Sequence, residues 1–558
     1  MDKIWLQHYP AAVPAQLPTD RYVSLLALLD EAFARHAALP AFRCAGRSHG
    51  FAEIDAASRA LAAYLQSLGL QRGDRVAVML PNVPQYPVAV AAVLRAGCVL
   101  VNVNPQFTPR ELQHQLKDSG ARAIVLLENF ATVLQRVADA VPIQHVIVAS
   151  MGDMLGSVKG ALVNQLLRNV KRQVPPFELP QAMRFNDALA RGRHAAYAAP
   201  AIGPHDIALL QYTGGTTGTS KAAVLLHRNL VANVLQMQAW HRPALDKVPA
   251  GEQLNMVCAL PLYHIHGFTA NLLLGLHRGA CNLLIADARD TGAMLKELAR
   301  QRVHSFPAVD TIFDAIASHA DCGQVDWSHL VLAIGGGMAV QPATARLWQQ
   351  KTGCPIHQGY GLTEASPTVS CTPVDGSVCS GNIGLPLPGT ELALLDDAGS
   401  EVEPGMTGEI AVRGPQVMAG YWQQPDETAR VMTRDGFLRT GDIGSVDARG
   451  CFRLIERKKD LIIVGGFHVF PSEIEELIAT LPGVRECAAC GVADAAHGEV
   501  VKLVVVKGDA RLAEADLRAW CDAHLAVYKR PRDIEFRAAL PRSAIGKVLR
   551  RQLRDAPV

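Results

Sequence analysis

The stretch "YTGGTTGTSK", Tyr212 to Lys221, joins a strand-like segment to a helix-like one and gives the first indication of an α/β fold with a phosphate-binding loop. The preceding "IALLQY" (Ile207–Tyr212) predicts a strand, and "HRNLVANVLQMQAW" (His227–Trp240) predicts a helix. Glycines in between let backbone N–H groups approach phosphate oxygens, and hydroxyls add donors without bulk. The loop departs from the Walker pattern, because Ser220 precedes its lysine and Ala222 follows it. Taken alone, it is as consistent with a polar surface loop as with a polyphosphate site.

The same alternation of strand-like and helix-like segments continues along the first two thirds of the chain. "RVAVML" (Arg75–Leu80) and "AIVLL" (Ala123–Leu127) are rich in β-branched and aliphatic residues, and helical periods separate them. The 558 residues exceed what one core holds, so two or more domains are expected. The sequence therefore predicts an α/β protein with a large N-terminal domain of layered sheets.

A second, smaller unit is predicted at the C-terminal end. "DARGCFRLIERKKD" (Asp447–Asp460) concentrates charge after a strand, and a strand, a glycine pair and a helix follow it. Ser472 and Glu475 have the spacing of a capping box at the start of that helix. "VKLVVV" (Val501–Val506) predicts another strand, and a helical stripe comprises Leu517, Trp520, Cys521, His524 and Leu525. We therefore predict a large domain over 1–456, a hinge at 457–460 and a small α/β domain over 461–558.

Composition excludes several classes of protein. A net charge of +2 argues against a nucleic-acid binder, so no nucleic-acid partner is expected. The 12 cysteines are scattered, which favours free thiols in a reducing compartment, and the pair Cys487 and Cys490 is interpreted as two small apolar residues. The N-terminus has no apolar run typical of a signal peptide, and the most apolar later segment is interrupted by Arg95. We expect a cytoplasmic protein that does not span a membrane.

The segment "VKGALVNQLLRNVKRQV", Val158 to Val174, is predicted to be an amphipathic helix. Its apolar residues gather on one half, and Arg168, Lys171 and Arg172 fall on the other. Two interpretations stay open: a surface helix docked on the protein's own core, or a helix that lies on an anionic membrane surface.

Four charged residues farther along the chain are candidates for chemistry. Glu364 ends "GYGLTE" and offers hard oxygens to Mg²⁺. Asp442 follows a glycine in "FLRTGDIG" and suits the hydroxyls of a ribose, which Arg457 can also reach. Lys547 follows a glycine in "LPRSAIGKVLRR". Each alone is more commonly a solvated surface charge, whereas the set in this order is far more specific.

In that order the motifs resemble those of the adenylate-forming enzymes, and in particular those of the bacterial long-chain fatty-acid–CoA ligases. The resemblance runs from "WLQHYPAAVP" through "VNVNPQFTPRELQHQLKDSGA" to "GKVLRRQLRD", and "DGFLRTGDIGSVDARGCFRLIERKK" is similar to the family's signature stretch. Ala222 stands where the family usually has glycine, and "GGFHVFP" replaces a commoner Ser-Gly-Phe-Asn form.

The resemblance implies a distorted β-barrel subdomain in the large domain and a mobile C-terminal domain. It also implies a two-step reaction, in fatty-acid uptake and degradation. A fatty-acid carboxylate attacks the α-phosphorus of ATP, with Mg²⁺ as the cofactor, to give acyl-AMP and diphosphate. The thiol of CoA then attacks the acyl carbonyl and expels AMP. The implied partners are fatty acid, ATP and CoA.

The resemblance further implies the roles of individual residues. The loop would hold the β- and γ-phosphates through Thr213, Gly214, Gly215, Thr216, Thr217, Gly218, Thr219, Ser220 and Lys221. The rest of the nucleotide would contact Gly335, Gly336, Gly337, Tyr360, Gly361, Thr363, Asp442 and Arg457. The residues assigned to catalysis are Thr217, His264, Glu364, which is also the metal ligand, and Lys547, which would bridge carboxylate and α-phosphate oxygens.

Between the two steps the C-terminal domain would rotate about Lys459, which would also contact the substrates. Rotation would withdraw Lys547 and bring Gly465 and Gly466 to the pantetheine chain of CoA. Phe268 would gate an apolar acyl tunnel.

Several alternatives remain at this stage. The chain could load a separate carrier protein with the acyl group, prefer medium-chain acids, or bind fatty acids without turnover. The oligomeric state is open, with a homodimer among the alternatives.

Overall fold

The computed structural model describes residues 3–213, 220–377, 381–403, 405–465, 467–494, 498–543 and 546–554. Within these ranges the chain forms four β-sheets, two of them large and mainly parallel. The alternation of strands and helices expected from the sequence is confirmed.

A seven-stranded sheet forms the first large layer. Its strands, in spatial order, are Met183–Arg184, His145–Ala149, Ala123–Leu127, Arg75–Met79, Val99–Asn102, Ile207–Thr213 and Lys221–Leu226. The central strand Ala123–Leu127 is buried at every residue, as expected for a parallel strand covered on both faces. Alternate residues of Arg75–Met79 enter two different core clusters, one on each side of the sheet.

A nine-stranded sheet forms the second large layer. Its strands, in spatial order, are Leu385–Pro386, Thr368–Cys371, Ile356–Gly361, Leu332–Gly336, Ser305–Ala308, Asn255–Cys258, Cys281–Leu284, Pro40–Cys44 and Arg47–Gly50. One core cluster contains residues from both large sheets and from the helices between them, so a shared helical layer joins the two sheets.

Helices cover both sheets and separate them. The α-helices are Leu25–Arg35, Phe51–Ser67, Gln85–Arg95, Pro109–Ser119, Ala131–Gln135, Ser157–Gln165, Phe185–Gly192, His227–Leu245, Leu274–Arg278, Thr291–Leu298, Asp310–Ala317, Pro342–Thr352, Pro425–Val431, Pro471–Ile478, Glu514–His524 and Arg551–Arg554. Single 3-10 turns lie at Ile4–His8, Glu128–Phe130, Ala138–Ala140, Ala320–Gln324, Trp327–His329, Thr363–Ala365 and Val527–Lys529, and π-helical turns at Leu166–Val170 and Gly267–Leu273. The described part of the chain contains no helix that is long and apolar enough to cross a bilayer.

Two smaller sheets complete the fold. Glu391–Leu395, Gly408–Arg413, Leu438–Val446 and Phe452–Arg457 form an antiparallel sheet, which does not close into a barrel within the described ranges. The C-terminal domain is built on Phe467–Val469, Ile462–Val464, Gly498–Lys507, Val484–Asp494 and Asp533–Phe536, and it has its own apolar core. The limits 1–456, 457–460 and 461–558 stay a prediction.

The predicted strand at Ile207–Thr213 and the predicted helix from His227 are confirmed, but the strand Lys221–Leu226 between them, which pairs antiparallel with Ile207–Thr213, was not predicted. The predicted capping box is wrong. The helix begins at Pro471, and the Ser472 hydroxyl donates to the carbonyl oxygen of Ile455 (2.8 Å) instead.

The amphipathic segment is helical, as predicted, but its apolar face is not docked on a core. Val158, Leu162, Leu166 and Val170 are 74%, 66%, 42% and 71% exposed. Arg168, on the polar half, pairs with the buried carboxylate of Glu128 (2.7 Å) and fixes that half against the protein. The interpretation of a helix docked through its apolar residues is therefore wrong for these four positions.

The cysteines mostly follow the prediction. Cys487 and Cys490 lie in the same strand, and both thiols are free. Eight other described cysteines also have free thiols. Cys451 is disulfide-bonded, which the scattered pattern did not predict.

Candidate active site

The candidate site lies where the strands Leu332–Gly336 and Ile356–Gly361 of the nine-stranded sheet end side by side. Ligands bind at the carboxyl ends of strands in open α/β sheets, because the loops there converge and no side chains fill the gap. Gly335 and Gly336 end the first strand, and Gly337 follows with φ of +81°, a conformation that favours glycine. The second strand is half-exposed at most residues although it is central in the sheet, so its face borders a cleft.

Tyr360, Asp442 and Arg457 come together at this edge. The Tyr360 hydroxyl donates to Asp442 Oδ2 (2.6 Å), and Arg457 Nε lies 3.4 Å from Asp442 Oδ1. Asp442 and Arg457 are opposite one another on adjacent antiparallel strands, which explains how residues distant in sequence meet. The structure therefore brings these three predicted residues together, and Tyr360 and Arg457 each contact one oxygen of the buried Asp442 carboxylate.

Glu364 and Lys221 both contact Tyr421, and Lys221 also contacts Glu427; neither partner was predicted from the sequence. The Tyr421 hydroxyl donates to Glu364 Oε1 (2.8 Å), and Lys221 Nζ lies 5.3 Å from the centre of the Tyr421 ring. Lys221 also forms an ion pair with Glu427. Glu364 Oε2 has no protein partner among the described residues, so one oxygen of this half-exposed carboxylate is left for another ligand.

Lys547 is tied to Ser543 by two hydrogen bonds. The backbone N–H of Ser543 donates to the carbonyl oxygen of Lys547 (2.8 Å), and the Lys547 N–H donates to Ser543 Oγ (3.2 Å). Gly546, with φ of +82°, lies so close to Thr311 that an added methyl group would be 2.9 Å from Thr311 Oγ1. A glycine is thus required before the lysine on two grounds, backbone conformation and close approach.

The ammonium of Lys547 has no ion-pair partner within the part of the chain that the structure describes. Its pKa is lowered to about 8, first by burial and then by the charges of Arg457 and Lys459, against opposing contributions from Asp442 and Glu364. Lys547 is therefore within electrostatic range of all four groups. A half-buried cation without a partner among the described residues is stabilised when an anion joins it, so Lys547 suits an anion site.

Two imidazoles lie beside this lysine. His264 Nδ1 accepts the backbone N–H of His266 at 3.4 Å, which leaves Nε2 of His264 to carry the proton. Burial, with the charge of His266 and then that of Lys547, lowers the pKa of His264 to about 3, so the ring is neutral at pH 7. Phe268, the predicted gate, is buried in the core at 1% exposure.

The other predicted residues are placed less centrally or lie outside the described residues. Thr213 and Lys221 are paired in register across the hairpin, and the Ser220 carbonyl oxygen is 3.2 Å from His114 Nε2. Gly361 ends its strand, and Thr363 begins a 3-10 turn that carries Glu364. Gly465 sits in an exposed turn with nothing within 4 Å of an added methyl group. The predictions for Gly214, Gly215, Thr216, Thr217, Gly218, Thr219 and Gly466 lie outside the described residues.

Comparisons with known proteins agree with this architecture. Residues 29–422 match the family model of the AMP-binding enzymes, and 473–547 match that of the AMP-binding enzyme C-terminal domain. A long-chain-fatty-acid–CoA ligase of Escherichia coli O157:H7 is 49% identical over 100% of this chain and 98% of its own length. One of Bacillus subtilis is 35% identical over 99% and 97%.

Solved structures show the same fold. The ATP-bound MatB of Rhodopseudomonas palustris has a TM-score of 0.81 and 30% identity, covering 94% of this chain and 98% of its own. A benzoate CoA ligase of Burkholderia xenovorans has a TM-score of 0.79 and 25% identity, covering 96% and 100%. The chain therefore belongs to the AMP-binding enzymes and, within them, to the family of the bacterial long-chain-fatty-acid–CoA ligases.

Proposed function

We propose that this protein converts long-chain fatty acids to acyl-CoA through an acyl-adenylate, with release of AMP and diphosphate, in fatty-acid uptake and degradation. The observation that carries the proposal is the ammonium of Lys547, which has no ion-pair partner among the described residues and lies within electrostatic range of Asp442, Glu364 and His264. An acid and ATP bound there would supply the carboxylate and phosphate oxygens that this cation lacks. No protein nucleophile is needed, so catalysis would rest on positioning and charge stabilisation.

The nucleotide would be held by the residues around the two glycine-ended strands. Asp442, oriented by Tyr360 and Arg457, would accept hydrogen bonds from the ribose hydroxyls. Gly335 to Gly337 and Tyr360 would flank the adenine, since strand ends without side chains admit a flat ring. Lys221 and the loop before it would hold the β- and γ-phosphates.

Glu364 fits the requirements of a Mg²⁺ ligand. One carboxylate oxygen is fixed by Tyr421 and the other has no partner among the described residues, and hard oxygen donors are what this ion prefers. When bound with ATP, the ion would offset negative charge on the diphosphate leaving group. Glu364 would hold it on the side of the site where Lys221 lies.

The second half of the reaction would use a different arrangement of the C-terminal domain. Lys547 occupies the site here, whereas Gly465 is on an exposed turn, an arrangement that suits adenylation. Rotation about the turn that contains Lys459 would withdraw Lys547, bring Gly465 into the site and admit CoA. Two residues after Gly465, the half-exposed ring of Phe467 stacks on the ring of Tyr528 with 4.8 Å between centroids, a surface that a CoA molecule could cover.

The exposed apolar stripe of Val158, Leu162, Leu166 and Val170 supports a peripheral contact with the cytoplasmic face of the inner membrane. We place the activity in the cytoplasm with the stripe against the acyl boundary, where apolar side chains gain from burial. A homodimer is a second proposal about assembly, to be tested by light scattering.

The experiment that tests the proposal is AMP release from ATP with fatty acids from C4 to C18, with and without CoA. Turnover that needs CoA and is highest for long chains supports it. Highest turnover with medium-chain acids would change the assigned substrate class to medium-chain fatty acids. Transfer of the acyl group to a holo-carrier protein in place of CoA would favour the carrier-loading alternative. No AMP release with any acid would favour a protein that binds fatty acids without turnover.

A further inference from the structure

Two imidazoles, those of His266 and His241, have no hydrogen-bond partner among the described residues. His266 is half-buried, and its ring lies over Gly336: a methyl group added there would be 2.8 Å from Cε1. His241, on the helix His227–Leu245, is 6% exposed. Neither ring makes a hydrogen bond within the described ranges, and none of the four nitrogens is sealed from solvent, so both rings face a space that a polar group can enter.

Electrostatic effects relate these groups to one another. Burial, and secondarily the charge of Lys547, lower the pKa of His266 to about 4. The pKa of His241 is lowered to about 3, first by burial and then by His357, Arg278 and His266. His266 is thus within electrostatic range of both Lys547 and His241.

A neutral imidazole always presents one N–H donor and one nitrogen lone pair. A plain methylene chain against His266 would leave both without a partner, and leaving a buried polar group unpaired is costly. A hydroxyl group both donates and accepts, so one hydroxyl on the acyl chain would satisfy the ring in either tautomer. An apolar acyl path, as expected from the sequence, has no use for such a residue beside the reacting carboxylate.

We propose that His266 is a specificity-determining residue that selects fatty acids bearing a hydroxyl group within the first few carbons from the carboxylate. The inference rests on the proposed function, because it takes the carboxylate to lie at Lys547. His241 would contact a substituent farther along the same chain.

The test compares kcat/KM for AMP release with four acids: dodecanoic acid and its 2-hydroxy, 3-hydroxy and 12-hydroxy derivatives, the last three being isomers of one another. For the wild-type protein we expect one of the early hydroxy acids to exceed the 12-hydroxy isomer. His266→Phe keeps the aromatic ring and should lower the ratio of that acid to dodecanoic acid about tenfold. His266→Gln keeps a donor and an acceptor and should retain the ratio. His329→Phe, a half-exposed histidine in the 3-10 turn Trp327–His329, is the matched control.

Each outcome decides. An unchanged ratio in His266→Phe overturns the inference. Equal kcat/KM values of the wild-type protein for the 2-, 3- and 12-hydroxy acids also overturn it. If His266→Phe does not fold, the wild-type comparison alone decides. Absence of AMP with every acid would instead sink the proposed function, so the two failures are distinguishable.

Discussion

Asp442 and Arg457 face one another across two antiparallel strands, with Oδ1 and Nε 3.4 Å apart. Gly441, with φ of +73°, precedes the aspartate, and a register shift follows it between Ile443 and Gly444. The Tyr360 hydroxyl donates to the second oxygen of the carboxylate. The result is a carboxylate with a fixed orientation at the edge of the site, as a bidentate ribose contact requires.

Asp442→Ala should weaken ATP binding about 10- to 100-fold, because charge-assisted hydrogen bonds to both ribose hydroxyls would be lost. The sharper measurement is the KM for ATP against 2′-deoxy-ATP and 3′-deoxy-ATP. The variant should lose the discrimination that the wild-type protein shows. Asp426→Ala, an exposed aspartate in the helix Pro425–Val431, is the control. If Asp442→Ala discriminates between ATP and the deoxy analogues as the wild-type protein does, Asp442 does not contact the ribose.

The sequence predicted elements whose pattern is local. The strand Ala123–Leu127 was predicted from its β-branched and aliphatic run and from the helical periods that flank it. Lys547 was singled out because its motif, in order with those of Glu364, Asp442 and Arg457, resembles a known family, and the structure explains the preceding glycine by backbone conformation and by contact with Thr311. The strand Lys221–Leu226 was missed, since a short apolar run does not by its period distinguish strand from helix.

Nonlocal partners could not be predicted. Tyr421 lies 57 residues from Glu364, and Glu427 lies 206 residues from Lys221, with no motif around either to mark it. The capping box failed for the same reason. Glu475 is drawn from the helix end by the Arg550 guanidinium (2.8 Å) and by the backbone N–H of Ala489 (2.8 Å), neither of which its own segment reveals.

Glu427→Gln should tighten ATP binding up to about fivefold, because Glu427 competes with phosphate for the ammonium of Lys221 in a half-exposed ion pair. The measurement is the KM for ATP in the wild-type protein, Glu427→Gln, Lys221→Ala and the double variant. The gain should vanish in the Lys221→Ala background. A gain of the same size there would show that the glutamate acts by general charge and not through the lysine.

Lys547→Ala should lower the rate of acyl-AMP formation by about 100-fold or more, since a charge that stabilises the transition state is removed from a water-poor site. Thioester formation from supplied acyl-AMP should be spared, because Lys547 would have left the site by then. The two half-reactions are measured separately by diphosphate exchange and by acyl-CoA appearance. Lys351→Ala, at the end of the helix Pro342–Thr352, is the control. Equal loss in both halves would contradict the assignment.

Acyl-AMP formation should fall as the pH rises through about 8. Burial lowers the pKa of Lys547 to about 8, so the ammonium that offsets phosphate charge is present below this pH and lost above it. The predicted slope is about tenfold per pH unit above the midpoint. Lys547→Arg should remove the decline, because guanidinium stays charged. A wild-type rate that stays level to pH 10 in this half-reaction would mean that the lysine acts without its charge.

Val158→Asp combined with Leu162→Asp should reduce binding to vesicles of anionic phospholipid about tenfold or more while leaving AMP release in detergent-free buffer unchanged. Both side chains are largely exposed, so the substitutions remove apolar contact with lipid without disturbing a core. Co-sedimentation with vesicles is the measurement. Val23→Asp, at a residue that is 62% exposed elsewhere on the surface, is the matched control. If both variants sediment with vesicles as the wild-type protein does, the stripe has no role in membrane contact, and its exposure would then point to a protein partner such as a second copy of the chain.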